Sequence, residues 1–353
     1  MTTLLRRAGH WGARAAVLLV VGALMVLTVA QRSAGEGWWW LELTRYLPYY
    51  WLAVPCIAAL LVSLALGRWW IAVAATNLAL LAFVTMGFVW SAGDAADQAS
   101  IRLRLMTFNV KAEKAKERPD GLATLASEVA WYAPDLLVMQ DADGLRVARS
   151  DPAQGDGPPL FGLPYVHAVG QYVIASRFPL YDCTTGQIGF RNESHRYLRC
   201  RVDIGGRAVS VVTAHFQSPR SGLMAARHEG LEGADEWLGN YQDRLTQARA
   251  LATGLADLPR PLVVAGDLNA PDTSPVVGTL LATGLRDTFS SAGRGWGYTY
   301  GHNLGRGLAF LRIDHILVSP DIGVVGSSVG TGAASDHRPV IADLFLRPSA
   351  SRQ

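Results

Sequence analysis

The stretch IRLRLMTFNV, residues 101–110, decides how the rest of the chain is read. Its β-forming apolar residues run up to Asn109, a polar residue placed where the strand should stop. The same design recurs downstream. PDLLVMQD (134–141) runs into Asp141, VVTAHF (211–216) into His215, and LVVAGDLNA (262–270) into Asp267 and Asn269. Asp314 sits in LRIDHILVS (311–319), and Asp336 and His337 sit in ASDHRPV (334–340). Further β-type runs fall at 172–176, 197–204, 208–214 and 339–346, with helical stretches near 120–132, 241–257 and 275–284. Pro134, Pro179, Pro259 and Pro261 mark boundaries between them. Gly205-Gly206 between two strand-like runs predicts an antiparallel hairpin. Paired strands with helices between them imply an α/β fold of two packed sheets with helices outside.

In a strand-built domain, polar residues at the same ends of neighbouring strands converge on one rim. The residues so placed are Asn109, Asp141, His215, Asp267, Asn269, Asp314, Asp336 and His337. Carboxylates and amides are hard oxygen donors, suited to Mg²⁺ or Mn²⁺ rather than zinc or copper. A divalent cation beside two histidines and spare carboxylates suits phosphoester hydrolysis. The cation neutralises phosphate oxygens, a base activates water, and an acid assists the leaving oxygen. Taken singly each motif has a plainer reading: GDxN as a turn and SDH as a helix N-cap. Their recurrence at strand ends favours the functional one.

In their order, TFNV, PDLLVMQD, ASRFPL, TAHF, GDLNA, RIDHILVS and SDHRP resemble the endonuclease/exonuclease/phosphatase superfamily over roughly residues 101–347. Arg244, Gln247, Asp287 and Thr299 agree with that resemblance. It implies a four-layer α/β sandwich with two central mixed sheets, and cleavage of phosphoesters with a divalent metal, Mg²⁺ or Mn²⁺. It implies Asn109, Asp141 and Asp336 around the metal. Asp267 would orient or deprotonate the attacking water, with Asn269 beside it on the phosphate. His337, oriented by Asp314, would meet a phosphate oxygen or move a proton, and His215 would donate to the phosphate or act as general acid. Asp141 stands where the family usually has Glu, a side chain one methylene longer. Asp143 would point to the same side if the strand continued.

The first quarter has a different composition. Only 17% of the 353 residues are charged, against about 25% for ordinary soluble domains. Residues 1–90 hold six Arg, no Lys and two Glu, a net +4, and eight of the eleven Trp; the remainder is at −1. Residues 47–66 and 69–90 carry no charge over 20 and 22 residues, roughly 30 Å of helix each and enough to cross a bilayer. A third run at about 15–31 completes three expected transmembrane helices; its other reading is a cleaved signal peptide. The expected organisation is a membrane region at 1–90, a small polar linker at 91–100, the α/β domain at 101–347 and a tail at 348–353. Arg6, Arg7 and Arg14 before the first run favour an inside start, so three crossings put the α/β domain outside the cytoplasmic membrane. There Cys183 and Cys200 could pair; two half-buried thiols is the equal alternative.

The α/β domain is at −1 overall, which weighs against a nuclease because phosphate neutralisation supplies most of nucleic-acid affinity, although Arg191, Arg196, Arg199 and Arg201 cluster in sequence and leave room for a local basic patch. A domain tethered outside a membrane meets lipid head groups constantly. The leading expectation is a hydrolase of an extracytoplasmic phosphate ester, lipid-linked substrates included, with membrane lipids as neighbours. The alternatives are a membrane-anchored extracellular nuclease and a non-catalytic envelope protein that retained the fold. Residues 216–243, after His215, are read as either a lid over the site or a packed surface excursion.

Overall fold

A computed structural model describes residues 2–33, 35–98, 100–143, 145, 159–191, 193–301 and 308–348. It divides into two compact units, Met1–Val89 and Trp90–Gln353. Most of the expected tail, residues 349–353, lies outside the described residues.

The second unit is a four-layer α/β sandwich. Its strands are β1 Ile101–Asn109, β2 Leu136–Gln140, β3 Tyr165–Val169, β4 Tyr172–Ser176, β5 Leu180–Gln187 and β6 Arg196–Ile204. They continue as β7 Arg207–His215, β8 Leu262–Asp267, β9 Arg286–Asp287, β10 Asp314–Val318, β11 Ile322–Val329 and β12 Val340–Leu346. One six-stranded sheet has the order β11-β12-β1-β2-β4-β3 and the other β9-β10-β8-β7-β6-β5. Each is mixed: β1–β2 and β7–β8 are parallel and the remaining pairs antiparallel. The expected hairpin joins β6 to β7, with Gly205 and Gly206 both at positive φ, as a two-residue primed turn needs.

Strand alternation sends one set of side chains between the sheets and the other outward. The inner set includes Leu103, Leu105, Leu136, Val138, Leu198, Val202, Val209, Val211, Val263 and Ile316. The outward set of the first sheet, with Met106, Phe108, Leu137 and Met139, is covered by Leu125 and Val129 of the helix Gly121–Tyr132. The long helix Ala234–Ala256 buries Trp237, Tyr241, Leu245, Ala248, Leu251 and Leu255 along one stripe. Its Gly254 sits where a Cβ would come within 2.4 Å of the Tyr197 hydroxyl, so this helix lies against β6. Cys183 and Cys200 are joined in a disulfide between β5 and β6.

Residues 91–98, expected as a linker, have no regular helix or strand and are held against the sandwich. Asp94 accepts hydrogen bonds from Val324 N at 3.0 Å, Arg286 at 3.1 Å and Arg347 at 2.8 Å. Small polar side chains let this segment lie flat against β11. The 216–243 segment divides. Helix Arg220–His228 and Leu231 are at the surface, whereas Trp237 is fully buried in the long helix.

The first unit is helical. Helices Arg7–Ser33 and Arg68–Thr85 are long and apolar enough to cross a membrane. The expected 20-residue helix at 47–66 is shorter, Tyr50–Ser63, with turns before Gly67, whose φ of 105° ends the run and starts the next helix. The third expected run, 69–90, is helical from Arg68 to Thr85 and stops ahead of Gly87, also at positive φ. Leu19, Val26, Trp51, Val54 and Trp69 are each about 70% exposed on the outside of this unit. Its interior holds a buried Glu42–Arg45 ion pair at 2.9 Å, and Gln31 donates to Thr44 Oγ1 and Tyr49 Oη at 2.7 Å each. Polar groups inside and apolar groups outside suit a hydrocarbon solvent.

Candidate active site

The inner-facing residues of the central strands change character together at one end. Along β1 they read Leu103, Leu105, Thr107, Asn109; along β2, Leu136, Val138, Gln140; along β7, Val209, Val211, Thr213, His215. On β8 they read Val263, Ala265, Asp267, and on the antiparallel β10, Val318, Ile316, Asp314. Register does the rest. His215 pairs with Asp267, Asp267 with Asp314, and Asn109 with Gln140 on the facing sheet. Gly266 is required beside Asp267, because a Cβ there would lie 2.1 Å from the Ala214 carbonyl oxygen.

Asp267 is the hub. Its Oδ2 accepts from Asn109 Nδ2 at 2.9 Å and lies 3.5 Å from His215 Nε2 and 3.7 Å from His337 Nδ1. Its Oδ1 accepts from Asn269 N at 2.9 Å. Asn269 is in the left-handed region (φ 47°), so the turn reading of GDLN holds. Asn269 Nδ2 donates to Phe216 O, and Arg244 donates to Asn269 O at 2.8 Å. Asp267, Asp314 and His337 are buried, and one potential ligand atom from each lies within 4.8 Å of the others.

His337 Nδ1 donates to Asp314, 3.0 and 3.2 Å from its two oxygens, and the ring packs on Tyr300 with centroids 4.7 Å apart. Burial alone would lower this imidazole, but Asp314 and Asp267 together outweigh it and raise it above its ordinary value. Ser335 Oγ ties the SDH turn to β1 by donating to Asn109 O at 2.7 Å. Thr299 Oγ1 accepts from the backbone N–H of Ile313 and Asp314 at 3.2 and 3.3 Å.

His215 is held from the other side. Its Nδ1 is 2.6 Å from Gln171 Oε1; an amide oxygen cannot donate, so Nδ1 carries the proton and Nε2 faces Asp267. Asp141 Oδ1 lies 3.4 Å from Nδ1. Burial would raise the Asp141 carboxyl, but His215 and Lys111 hold it well below the usual carboxylate range. Tyr172 Oη accepts from His215 N at 3.1 Å and donates to Arg196 O; burial pushes this phenol up strongly. Asp141 itself has φ 49°, so β2 ends at Gln140 and does not continue to carry Asp143 along the same face. Asp143 is exposed.

By these contacts Asn109, Asp141, His215, Asp267, Asn269, Asp314 and His337 form one connected set. Asp336, next to His337, is engaged by Lys114 Nζ at 2.7 Å and Arg118 at 3.8 Å. Asp287 lies outside this set. It accepts from Arg312 at 2.7 Å, with His315 Nδ1 at 3.3 Å, and props the GDLN turn through His315 Nε2 on Ala270 O. Sequence reasoning missed Lys111, Lys114, Gln171, Tyr172 and Tyr300. Only Lys111, two residues past the strand-ending Asn109, carried a usable signal. A cleft of about 490 Å³ opens beside His337, lined by Arg118, Thr299, Ser335, Asp336 and Arg338 among others.

The donor set, hard carboxylate and amide oxygens with imidazole, fits Mg²⁺ or Mn²⁺. The cluster of Asp267, Asp314 and His337 could ligate an ion; with His337 protonated, the imidazolium itself supplies the cation between the two carboxylates.

The model of the Endonuclease/Exonuclease/phosphatase family matches residues 106–337. Among solved structures, the chain is similar to an endonuclease/exonuclease/phosphatase from Beutenbergia cavernae, at 21% identity and TM-score 0.48, covering 70% of this chain and 72% of that one. It is also similar to a humanized D. rerio TDP2, at 16% identity and TM-score 0.49, covering 69% and 99%. A third is the 3′ phosphatase NExo from Neisseria, solved with a product DNA hairpin, at 19% identity and TM-score 0.48, covering 68% and 98%. No curated protein matches the chain. With the family model spanning every motif from the β1 end to His337, the chain belongs to the endonuclease/exonuclease/phosphatase family of metal-dependent phosphoesterases and is an enzyme of that type.

Proposed function

We propose that this protein is a membrane-anchored, divalent-metal-dependent phosphoester hydrolase acting outside the cytoplasm, with lipid-linked phosphates as its leading substrate class. The observation that carries the reading is the His215–Asp267–Asp314 rung, faced by Asn109 and joined to His337, in a chain that also holds two apolar helices of membrane-crossing length. Asn109, Asp141 and Asp336 are the proposed holders of the ion. Bound there, the ion would neutralise phosphate oxygens and lower the barrier to attack.

The chain's own groups do the rest. Asp267, hydrogen-bonded by Asn109 and the Asn269 backbone, orients and deprotonates the attacking water. Asn269 lies beside it toward the phosphate. His337, held by Asp314 and kept protonated above its ordinary range, donates to a phosphate oxygen. His215, with its Nδ1 proton committed to Gln171, donates from Nε2 to the phosphate, or acts as the acid for the leaving oxygen, in its imidazolium form. A protonated imidazole beside a carboxylate stabilises growing negative charge at the phosphoryl oxygens.

Two observations support the location, and a third bears on the substrate. Residues 47–66 are uncharged; fourteen of them form a helix of about 21 Å, and the six flanking residues supply the remaining reach. With that crossing counted, the Arg-rich start stays inside and the sandwich emerges outside. The Cys183–Cys200 disulfide suits an oxidising compartment. Three of the four clustered arginines are placed away from the rim. Arg199 and Arg201 alternate with the inward Leu198, Cys200 and Val202 and so occupy the outer face of β6, while Arg191 is tied to Asp243 at 2.9 Å.

The test is turnover of lipid phosphates, soluble phosphomonoesters and plasmid DNA by the full chain in detergent, with and without Mn²⁺, at two salt concentrations. Mn²⁺-dependent release from a lipid phosphate is expected. Preferred cleavage of DNA with a steep salt dependence would favour the nuclease alternative. Protease accessibility in intact cells tests the orientation, with cleavage of the sandwich from outside expected.

A further inference from the structure

Outside the reactive rung, one short basic segment reaches the same carboxylates. Lys111 immediately precedes the short helix Ala112–Lys116, Lys114 lies within it and Arg118 follows it. Lys111 Nζ donates to Asp141 Oδ2. Lys114 Nζ donates to Asp336 Oδ2 at 2.7 Å, and Arg118 Nη2 lies 3.8 Å from Asp336 Oδ1. These are the two carboxylates that the functional reading gives to the divalent ion.

Backbone geometry builds the Lys111–Asp141 pair. Both residues are in the left-handed region, at φ 46° and 49°, where a β-carbon is strained. Their turns are locked side by side, with Ala112 N donating to Asp141 O at 2.8 Å and Val110 N to Gln140 O at 3.0 Å. Strain kept at two facing strand ends marks a position the fold specifies, not a chance meeting of surface side chains. Both side chains of the pair are less than one-third exposed, whereas Lys114 is more than half exposed.

We propose that Lys111, with Lys114 as the weaker partner, is a resident counter-cation that competes with the divalent ion for Asp141 and Asp336. This rests on the metal-holding roles assigned above. A carboxylate oxygen committed to an ammonium is withdrawn from the ion, and an ammonium left nearby repels it. Both effects lower metal affinity. The enzyme is thereby set to take up its ion only at higher concentrations than an uncompensated carboxylate pair would need.

The experiment is calorimetric titration of Mn²⁺ into the full chain in detergent, with melting temperature recorded for each protein. Lys111→Met should bind Mn²⁺ about five-fold more tightly than wild type and Lys114→Met about two-fold more tightly. Lys111→Arg, which keeps the charge, should stay near wild type, and Asp141→Asn should bind more weakly. If Lys111→Met melts lower than wild type, Lys111→Gly, which relieves the left-handed strain, is held to the same expectation. Wild type that binds Mn²⁺ and hydrolyses a phosphoester, while neither Lys111 variant binds more tightly, overturns the counter-cation role alone. Wild type that neither binds Mn²⁺ nor hydrolyses any phosphoester overturns the functional reading and this inference with it.

Discussion

The layer between the two sheets has two ends made by the same strands. At one end Leu105, Val138, Val211, Val263 and Ile316 pack as a dry core; one or two pleats further on, the same columns become Asn109, Gln140, His215, Asp267 and Asp314. The burial is almost equal. Asp267 and Asn109 are as inaccessible as Leu105, whereas His215, Asp141 and Asp336 reach partly into solvent. Burying a carboxylate is costly unless it is paired or hydrogen-bonded. Here Asn109, the Asn269 backbone and two imidazoles meet that cost, and the result is a preorganised polar rim standing on a rigid apolar base. Position along the strand, more than depth, separates the candidate site from the apolar core in this domain.

Substitutions at the two ends should therefore fail in different ways. The largest effect is expected at the rim. Asp314→Asn removes the negative charge that raises His337 and puts an amide that can donate where a carboxylate only accepted, and turnover should fall roughly 100- to 10,000-fold with little change in melting temperature. Equal losses of activity and fold would break the distinction. Leu105→Ala, in the base, should cost about 2–5 kcal/mol of stability, read as a lower melting temperature, while the protein that remains folded keeps its turnover per molecule.

Asp287 sharpens the comparison because it is buried and charged but serves the scaffold. Burial would raise its carboxyl, yet Arg312 and then His315 hold it well below 3.8. A carboxyl depressed in the folded state contributes stability above its unfolded value, lost as pH falls through the folded one. Melting temperature should drop on acidification below pH 3.8, and Asp287→Asn should melt lower at neutral pH with a flatter acid limb. The smallest effect is expected from Arg199→Ala with Arg201→Ala. Those side chains are on the outer face of β6, so turnover at low and high salt should match wild type. A marked loss confined to low salt would mean that an anionic polymer runs over that face.

Much of this was legible in the sequence because apolar runs ending in Asn, Asp or His record a strand's burial and its functional end together. The central strands β1, β2, β7, β8, β10 and β12 fell where their apolar runs lay. The strands that were missed, β3, β5, β9 and β11, lie at the sheet edges, where one flank is open and alternation is weaker; β11 reads IGVVGSSV. The Lys111–Asp141 pair was hidden for a different reason. Two left-handed turns that follow strands 31 residues apart aim those side chains at each other, and no local pattern encodes that meeting. The membrane region was legible as composition but less so as length: Gly67 and Gly87, both at positive φ, set helix ends that a count of uncharged residues does not reveal.

The most direct test of the central claim, that these strand ends assemble one metal-dependent phosphoesterase site, is phosphoester turnover by the full chain in detergent against Asp267→Asn, each with Mn²⁺ and with chelator. The account predicts Mn²⁺-dependent turnover by wild type, abolished by chelator, and loss of at least about 100-fold in Asp267→Asn at an unchanged melting temperature. Turnover by Asp267→Asn equal to that of wild type, or activity indifferent to chelator, would contradict it.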